Sequence, residues 1–295
     1  MRTHGDLFPT DFGLLARMAT VGLATPVVVA AGLVGVAEWA PWEIIAVVFG
    51  ALAIGGWVGV RERVAISSRG RRLAPAEAPD LHAIVERLCV LADIAKPAIV
   101  LDRQLQPNSW VEGTKRGGFR LHLTQGLLDL LEPRELEAVI AHELAHVANR
   151  DAAVMTVVGG PGEALLSGGV RVAGQGWWPL VVGGAAAALI GWVGTVGTRA
   201  LSRYREFAAD AGAVALTGHP AVLASALMKV SDGVHALPTR DLRVAAARDA
   251  FHLLPVARER RLTATHPSLK ARIAKLERME ARLQSARPAL SDPLR

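Results

Sequence analysis

The sequence predicts a mainly α-helical membrane protein with about four transmembrane helices and a soluble α+β part. Three observations carry this. Hydrophobic residues fill 51% of the 295 positions and mean hydropathy is positive, more than an ordinary soluble chain carries. The apolar residues gather in long uncharged runs. Around those runs the sequence turns polar, with helical and strand periodicities of its own.

Positions 18–37 carry no charge and are long enough to cross the hydrocarbon layer, and Pro26 is tolerable there because a membrane helix can re-satisfy its backbone. Positions 44–60 form a second run, with Trp42 and Trp57 as interface anchors. Positions 152–170 are weaker, interrupted at 159–163 by Gly-Gly-Pro-Gly-Glu, and read as a broken span, a re-entrant hairpin or a buried segment. Positions 177–198 form a further uncharged run. Arg2 and Arg17 precede the first run, Arg61, Arg63, Arg69, Arg71 and Arg72 follow the second, and Arg199, Arg203 and Arg205 follow the last. These flanks place the termini and the soluble part on the cytoplasmic side of a cell membrane. The same rule accounts for the net charge of +6 without nucleic acid, for which no aromatic-interleaved basic motif is present. Cys89, the single cysteine, lies in a helical apolar pattern and reads as core; no intramolecular disulfide is possible.

The expected organisation is a membrane region at 1–60, a first soluble part at 61–151, a second membrane region at 152–198 and a second soluble part at 199–295. After a linker at 74–79, positions 80–93 predict an amphipathic helix stopped before Pro97. Positions 98–101 and 118–124 predict short strands, with 107–113 extended between them. A helix is expected over 133–150, then at 202–216, at 220–234 and at 267–283. Positions 237–265 show no clear pattern, and the last dozen residues read as a solvated tail.

The helix at 133–150 carries the chemistry. Pro133 sits just inside its start with Glu135 in the first turn, and Leu136, Ile140, Leu144 and Val147 form its apolar stripe. Beside that stripe lies His142-Glu143-Leu144-Ala145-His146. Residues four apart on an α-helix are about 40° apart on one face, so two neutral imidazoles can grip one Zn²⁺ from one side. Glu143 is turned toward a water in the site, where it serves as general base. A catalytic zinc needs a third protein ligand, and the candidates are Asp151, Glu206, Asp210 and several histidines. Glu206 and Asp210 share a helix face, which lets Glu206 bind metal while Asp210 orients a ligand histidine. The plain alternative is a solvated charged face with Arg203 paired to Glu206. Asp151 lies beyond the metal-binding turn and is expected to be dispensable for zinc. A site that were purely structural would have no use for Glu143 and would be closed by four protein ligands.

The stretch from Glu135 to Val147 with Asn149-Arg150-Asp151, and the stretch Leu201-Ser202-Arg203-Tyr204-Arg205-Glu206-Phe207-Ala208-Ala209-Asp210, resemble the two motifs of the HtpX-type membrane-embedded zinc endopeptidases, relatives of the CAAX prenyl proteases. The resemblance implies a gluzincin-like α+β catalytic domain with one zinc on His142, His146 and Glu206, Glu143 as base, and Asp210 behind the ligands. Asn108-Ser109-Trp110 sits where that family carries an Asn-Ala-Phe-like edge strand, implying a substrate-binding role; Ser109, Val111 and Glu112 depart from the pattern. Thr265-His266-Pro267 with Arg272 resembles a C-terminal motif, implying His266 and Arg272 near the reacting carbonyl, where either could stabilise an oxyanion. The implied substrates are polypeptides, chiefly misfolded or unassembled membrane proteins met at the lipid bilayer. Site-specific processing of one membrane or lipidated protein is the alternative, and a zinc-stabilised scaffold without turnover a more distant one.

Overall fold

The computed structural model describes residues 12–67, 70–114, 117–235 and 266–290. Its elements run α1 (Phe12–Trp39), α2 (Trp42–Ser67), β1 (Arg71–Arg72), α3 (Pro79–Ala92), β2 (Ala98–Asp102), β3 (Ser109–Thr114), β4 (Gly118–Thr124), α4 (Gln125–Leu130), α5 (Pro133–Ala148), α6 (Asp151–Ala173), α7 (Trp178–Thr217), α8 (Pro220–His235) and α9 (Leu269–Leu290). Among the described residues, one compact unit takes 12–67 and 152–204, the other 70–151 and 205–290.

The first unit is helical. Met18–Trp39, Trp42–Glu62 and Trp178–Thr217 are long and apolar enough to cross a membrane. At 40 residues and 1.5 Å per residue, α7 is about 60 Å long, twice the hydrocarbon thickness of about 30 Å. Its apolar half ends where Arg199, Arg203 and Arg205 begin. The sequence reading had separated that half from a helix at 202–216; the structure joins them, because nothing at 199–201 breaks an α-helix. The interrupted stretch at 152–170 is neither broken nor a hairpin. It forms the continuous 23-residue α6 with Pro161 inside it, long enough to span but less apolar, with Glu163 and Arg171 along it.

Small residues explain why that helix survives its glycines. A Cβ on Gly168 would collide with the Ala51 carbonyl oxygen of α2, and one on Gly55 with the Ala164 carbonyl oxygen of α6. A Cβ on Gly169 would come within 2.5 Å of the backbone of Ala188 in α7. Helices in lipid gain little by burying large apolar side chains, so close backbone approach over glycine supplies the packing. The interior is accordingly small, centred on Val29, Val48, Ala51, Leu165 and Ala187, while Leu23, Val27, Phe49, Ile54, Leu189 and Trp192 face outward. Trp39 and Trp42 flank the α1–α2 turn and Trp177 and Trp178 the α6–α7 turn, all exposed. Trp57, the other expected anchor, is exposed as well.

The second unit contains a four-stranded mixed sheet of order β1-β2-β4-β3. β2 and β4 run parallel, and β1 and β3 pair antiparallel at the two edges. The β1 strand and the six-residue α4 have no counterpart in the sequence reading: two residues are too few to show alternation, and α4 is under two turns, started by Thr124, whose hydroxyl caps Leu127. One sheet face supplies Ile99, Leu121 and Leu123 to a core completed by Val85 and Leu88 of α3, Val139, Ile140 and Leu144 of α5, Leu223 and Leu227 of α8, and Leu276 of α9. Cys89 is buried there, and burial pushes its thiol up to about 11. Helix α9 continues to Leu290, past the expected stop at 283. The unassigned stretch 237–265 lies outside the described residues.

Candidate metal centre

Helix α5 is fixed at its N-terminal turn and along its buried face. Glu132 and Glu135 form a reciprocal capping box around Pro133, and Glu135 is held from α8 by Ser225 Oγ at 2.7 Å and Lys229 Nζ at 2.8 Å. Ile140, Ala141, Leu144 and Ala145 are fully buried, so the turn bearing the histidines cannot rotate without tearing the core.

His142 and His146 point their Nε2 atoms at each other, 3.2 Å apart, with the rings perpendicular. Behind them, His142 Nδ1 lies 3.0 Å from Asp210 Oδ1 and His146 Nδ1 lies 2.6 Å from Asp151 Oδ2. A carboxylate only accepts, so each Nδ1 carries the hydrogen and each Nε2 presents a lone pair. Arg272 Nη2 sits 3.4 Å from the same Nδ1 of His142, but a donor there leaves the tautomer to the shorter Asp210 contact. Glu206 completes the group, its Oε2 lying 3.7 Å from His142 Nε2 and its Oε1 lying 3.6 Å from His146 Nε2.

Two lone pairs and a carboxylate turned on one another repel unless a cation lies between them. Zinc bonds of about 2.1 Å in a tetrahedron separate ligand atoms by about 3.4 Å, close to the 3.2, 3.6 and 3.7 Å found here. Glu206 Oε2 is buried yet accepts no hydrogen bond, although Arg272 Nη1 lies 3.3 Å away. Together His142, His146 and Glu206 form a candidate metal site, and its nitrogen and oxygen donors fit zinc.

The charges around the ligands are balanced by pairing. Glu206 is 6% exposed and Asp210 fully buried, which removes the alternative of a solvated charged face. Burial opposes charge on Glu206, but His266, Arg272 and His146 hold its carboxyl well below the usual carboxylate range. Burial likewise opposes charge on Asp210, and Arg272 and His142 hold it low. For His146, burial is outweighed by Asp151, Glu206 and Glu143, which raise its pKa. The lowered carboxylates and the raised imidazole stabilise one another's charge.

The other sequence-predicted residues surround this group or lie on the sheet edge. Arg272, expected as an oxyanion donor, is fully buried, with Nε 2.9 Å and Nη2 2.6 Å from the Asp210 carboxylate and Nη1 against Glu206. It stands behind the ligands. His266 is buried with Nδ1 3.5 Å from Glu206 Oε1; Thr265 beside it lies outside the described residues. Asn108 precedes edge strand β3, its backbone tied to Thr124 at both N–H and C=O. Trp110 faces the opposite side of the sheet from Ser109 and stacks on its cross-strand partner His122, with centroids 4.6 Å apart. Ser109 Oγ donates to Glu143 Oε1 at 2.7 Å.

Asp151 corrects the sequence reading. Expected to be dispensable beyond the metal-binding turn, it accepts from His146 and forms an ion pair with Arg205 at 2.9 Å. Helix α5 stops at Ala148, and Arg150 adopts a left-handed φ of 56°, which turns the chain so that Asp151 comes back under His146. One signal was available: two ligand histidines need two acceptors, and only Asp210 had been assigned.

The comparisons with known proteins agree with this geometry. The sequence pattern described as Peptidase family M48 matches residues 75–280. The protease HtpX homolog of Moorella thermoacetica is 39% identical over 82% of this chain and 86% of its own length. HtpX homolog 1 of Streptomyces coelicolor is 38% identical over 95% and 97% respectively. Among solved structures, S. mikatae Ste24p superposes with a TM-score of 0.50 at 15% identity, over 89% of this chain. The chain spans 65% of the length of Ste24p, and that likeness concerns the fold. With its helical membrane unit, small mixed sheet and His-His-Glu centre, the chain belongs to peptidase family M48, as a zinc metalloprotease of the HtpX type.

Proposed function

We propose that this endopeptidase cleaves misfolded or unassembled membrane proteins at the cytoplasmic face of the bilayer. The observation that carries the reading is a buried base, Glu143, set beside a three-ligand centre that leaves a coordination position for water and substrate. Zinc bound by His142, His146 and Glu206 would supply Lewis acidity, polarising the scissile carbonyl and making water in the site more acidic. Glu143 takes one proton from the attacking water on its carboxylate. As the C–N bond breaks it delivers that proton to the leaving amine. Asp210 and Asp151 keep each ligand imidazole in the tautomer that frees Nε2. Arg272 neutralises Asp210 and Glu206 and so holds them in place, which replaces the oxyanion role expected from sequence. His266, whose Nδ1 lies 3.5 Å from Glu206 Oε1, keeps the role of oxyanion donor. An extended substrate aligns along β3, whose outer edge pairs with no strand among the described residues.

The arginine flanks motivate the cytoplasmic orientation, and the domain limits at 60, 151 and 198 remain part of this proposal. Of the four proposed spans, α6 is the one that composition alone does not support. The test uses the full chain in lipid nanodiscs with casein and with a model membrane protein in stable and destabilised forms, with and without chelator. Cleavage should stop with chelator and in Glu143→Gln, and the destabilised substrate should be cut faster at several bonds. Cleavage of one bond at equal rates in both forms would overturn the quality-control reading.

A further inference from the structure

Resting on the reading of Glu143 as the base, we infer that Ser109 is a positioning residue for it, tying the substrate strand to the proton acceptor. Ser109 opens β3, pairs with Leu123 of β4, and is 1% exposed. Its hydroxyl donates to Glu143 Oε1 at 2.7 Å, a charge-assisted bond across 34 positions of sequence. No described residue donates a hydrogen bond to Oε2, which is therefore the oxygen left for water.

A glutamate carboxylate swings on three torsions, and a base works only with its oxygen within about 2.6–3.2 Å of the proton it takes. Anchoring Oε1 removes that freedom at the oxygen not in use. The anchor is itself rigid, since Asn108, one residue earlier, is clamped to Thr124 through both backbone groups. Because Ser109 also belongs to the edge along which an extended substrate lies, any shift of that strand moves the base with it. A buried hydroxyl needs some partner; that this one chose the carboxylate beside the metal site is what gives it a consequence.

Ser109→Ala is measured on casein, with zinc content and melting temperature recorded beside the kinetics. Ser109→Ala should lower kcat about tenfold with KM within twofold and zinc retained, while Ser109→Thr, which keeps the hydroxyl, restores most of the rate. Ser109→Cys keeps the volume with a weak donor and should resemble Ala, so it decides the matter if Ala fails to fold. A second readout is calorimetric binding of a peptide hydroxamate, whose acidic hydroxyl engages the base. Ser109→Ala should weaken it about tenfold in the native background and not at all in Glu143→Gln. Native kcat in Ser109→Cys, or equal weakening in both backgrounds, would overturn the inference. If Glu143→Gln itself keeps full activity, the base assignment falls instead, and the two failures are distinguishable.

Discussion

Replacing Asp151 by asparagine keeps the size of the side chain and removes half of its accepting capacity. Asp151 is 1% exposed, accepts from His146 Nδ1 at 2.6 Å and forms an ion pair with Arg205 Nε at 2.9 Å. An asparagine has one carbonyl oxygen to share, so its amide must face one of those donors as donor against donor. If Arg205 keeps the oxygen, His146 loses its orienting partner and its Nε2 tautomer. Losing such a partner weakens metal binding about 10–100-fold, or about 1.4–2.8 kcal/mol at about 1.4 per factor of ten. Asp151→Ala also leaves Arg205 without its anion, so a loss of folding stability of about 3 kcal/mol should accompany the loss of affinity. The assay is zinc competition against a fluorescent chelator, with thermal melting in the same detergent. Asp129→Asn, at an exposed residue that accepts from Gln125, serves as the control. Zinc affinity of Asp151→Asn within twofold of the native value would refute the reasoning and return Asp151 to a role in chain geometry alone.

Glu206→Gln removes the anionic ligand and leaves two imidazoles, so purified protein should contain well under one zinc and have no peptidase activity; metal analysis checks this, and a full equivalent of zinc would disprove the ligand assignment. Gly168→Ala places a Cβ against the Ala51 carbonyl oxygen and should lower stability of the membrane unit by about 1–3 kcal/mol in detergent unfolding, whereas Gly59→Ala, with open space around it, should change little. In metal-stripped protein the pH dependence follows from opposing shifts. Glu206, Asp210 and Asp151 have depressed pKa values, so their contribution is complete above their ordinary values of 4.5 and 3.8 and is lost as pH falls through the lower folded values. His146 is raised, so its contribution is complete below 6.5 and is lost as pH rises through the folded value. Melting temperature should therefore peak between pH 4.5 and 6.5, and a peak above pH 8 would contradict those directions.

What the sequence determined by itself is whatever one helix or one run imposes on its own residues. The four-residue spacing of His142 and His146 places them on one face whatever surrounds them, and the same holds for Glu206 and Asp210. The uncharged runs at 18–37, 44–60 and 177–198 declare their length and medium in the same local way. Tertiary structure decided the rest. Arg272 carries a charge that its own sequence pairs with nothing; only the tertiary structure buries it between Asp210 and Glu206. The glycines at 159–162 look like a break because glycine is a poor helix former in isolation. Within the membrane unit, Gly162 instead lies against Gly191 and Gly194 of α7, and the helix continues through it. The place of Asp151 is not legible in the sequence because it depends on a left-handed Arg150, a conformation uncommon for a non-glycine residue. Periodicity is set by each residue's own backbone, whereas partners are set by distant chain, and a metal centre is made of partners.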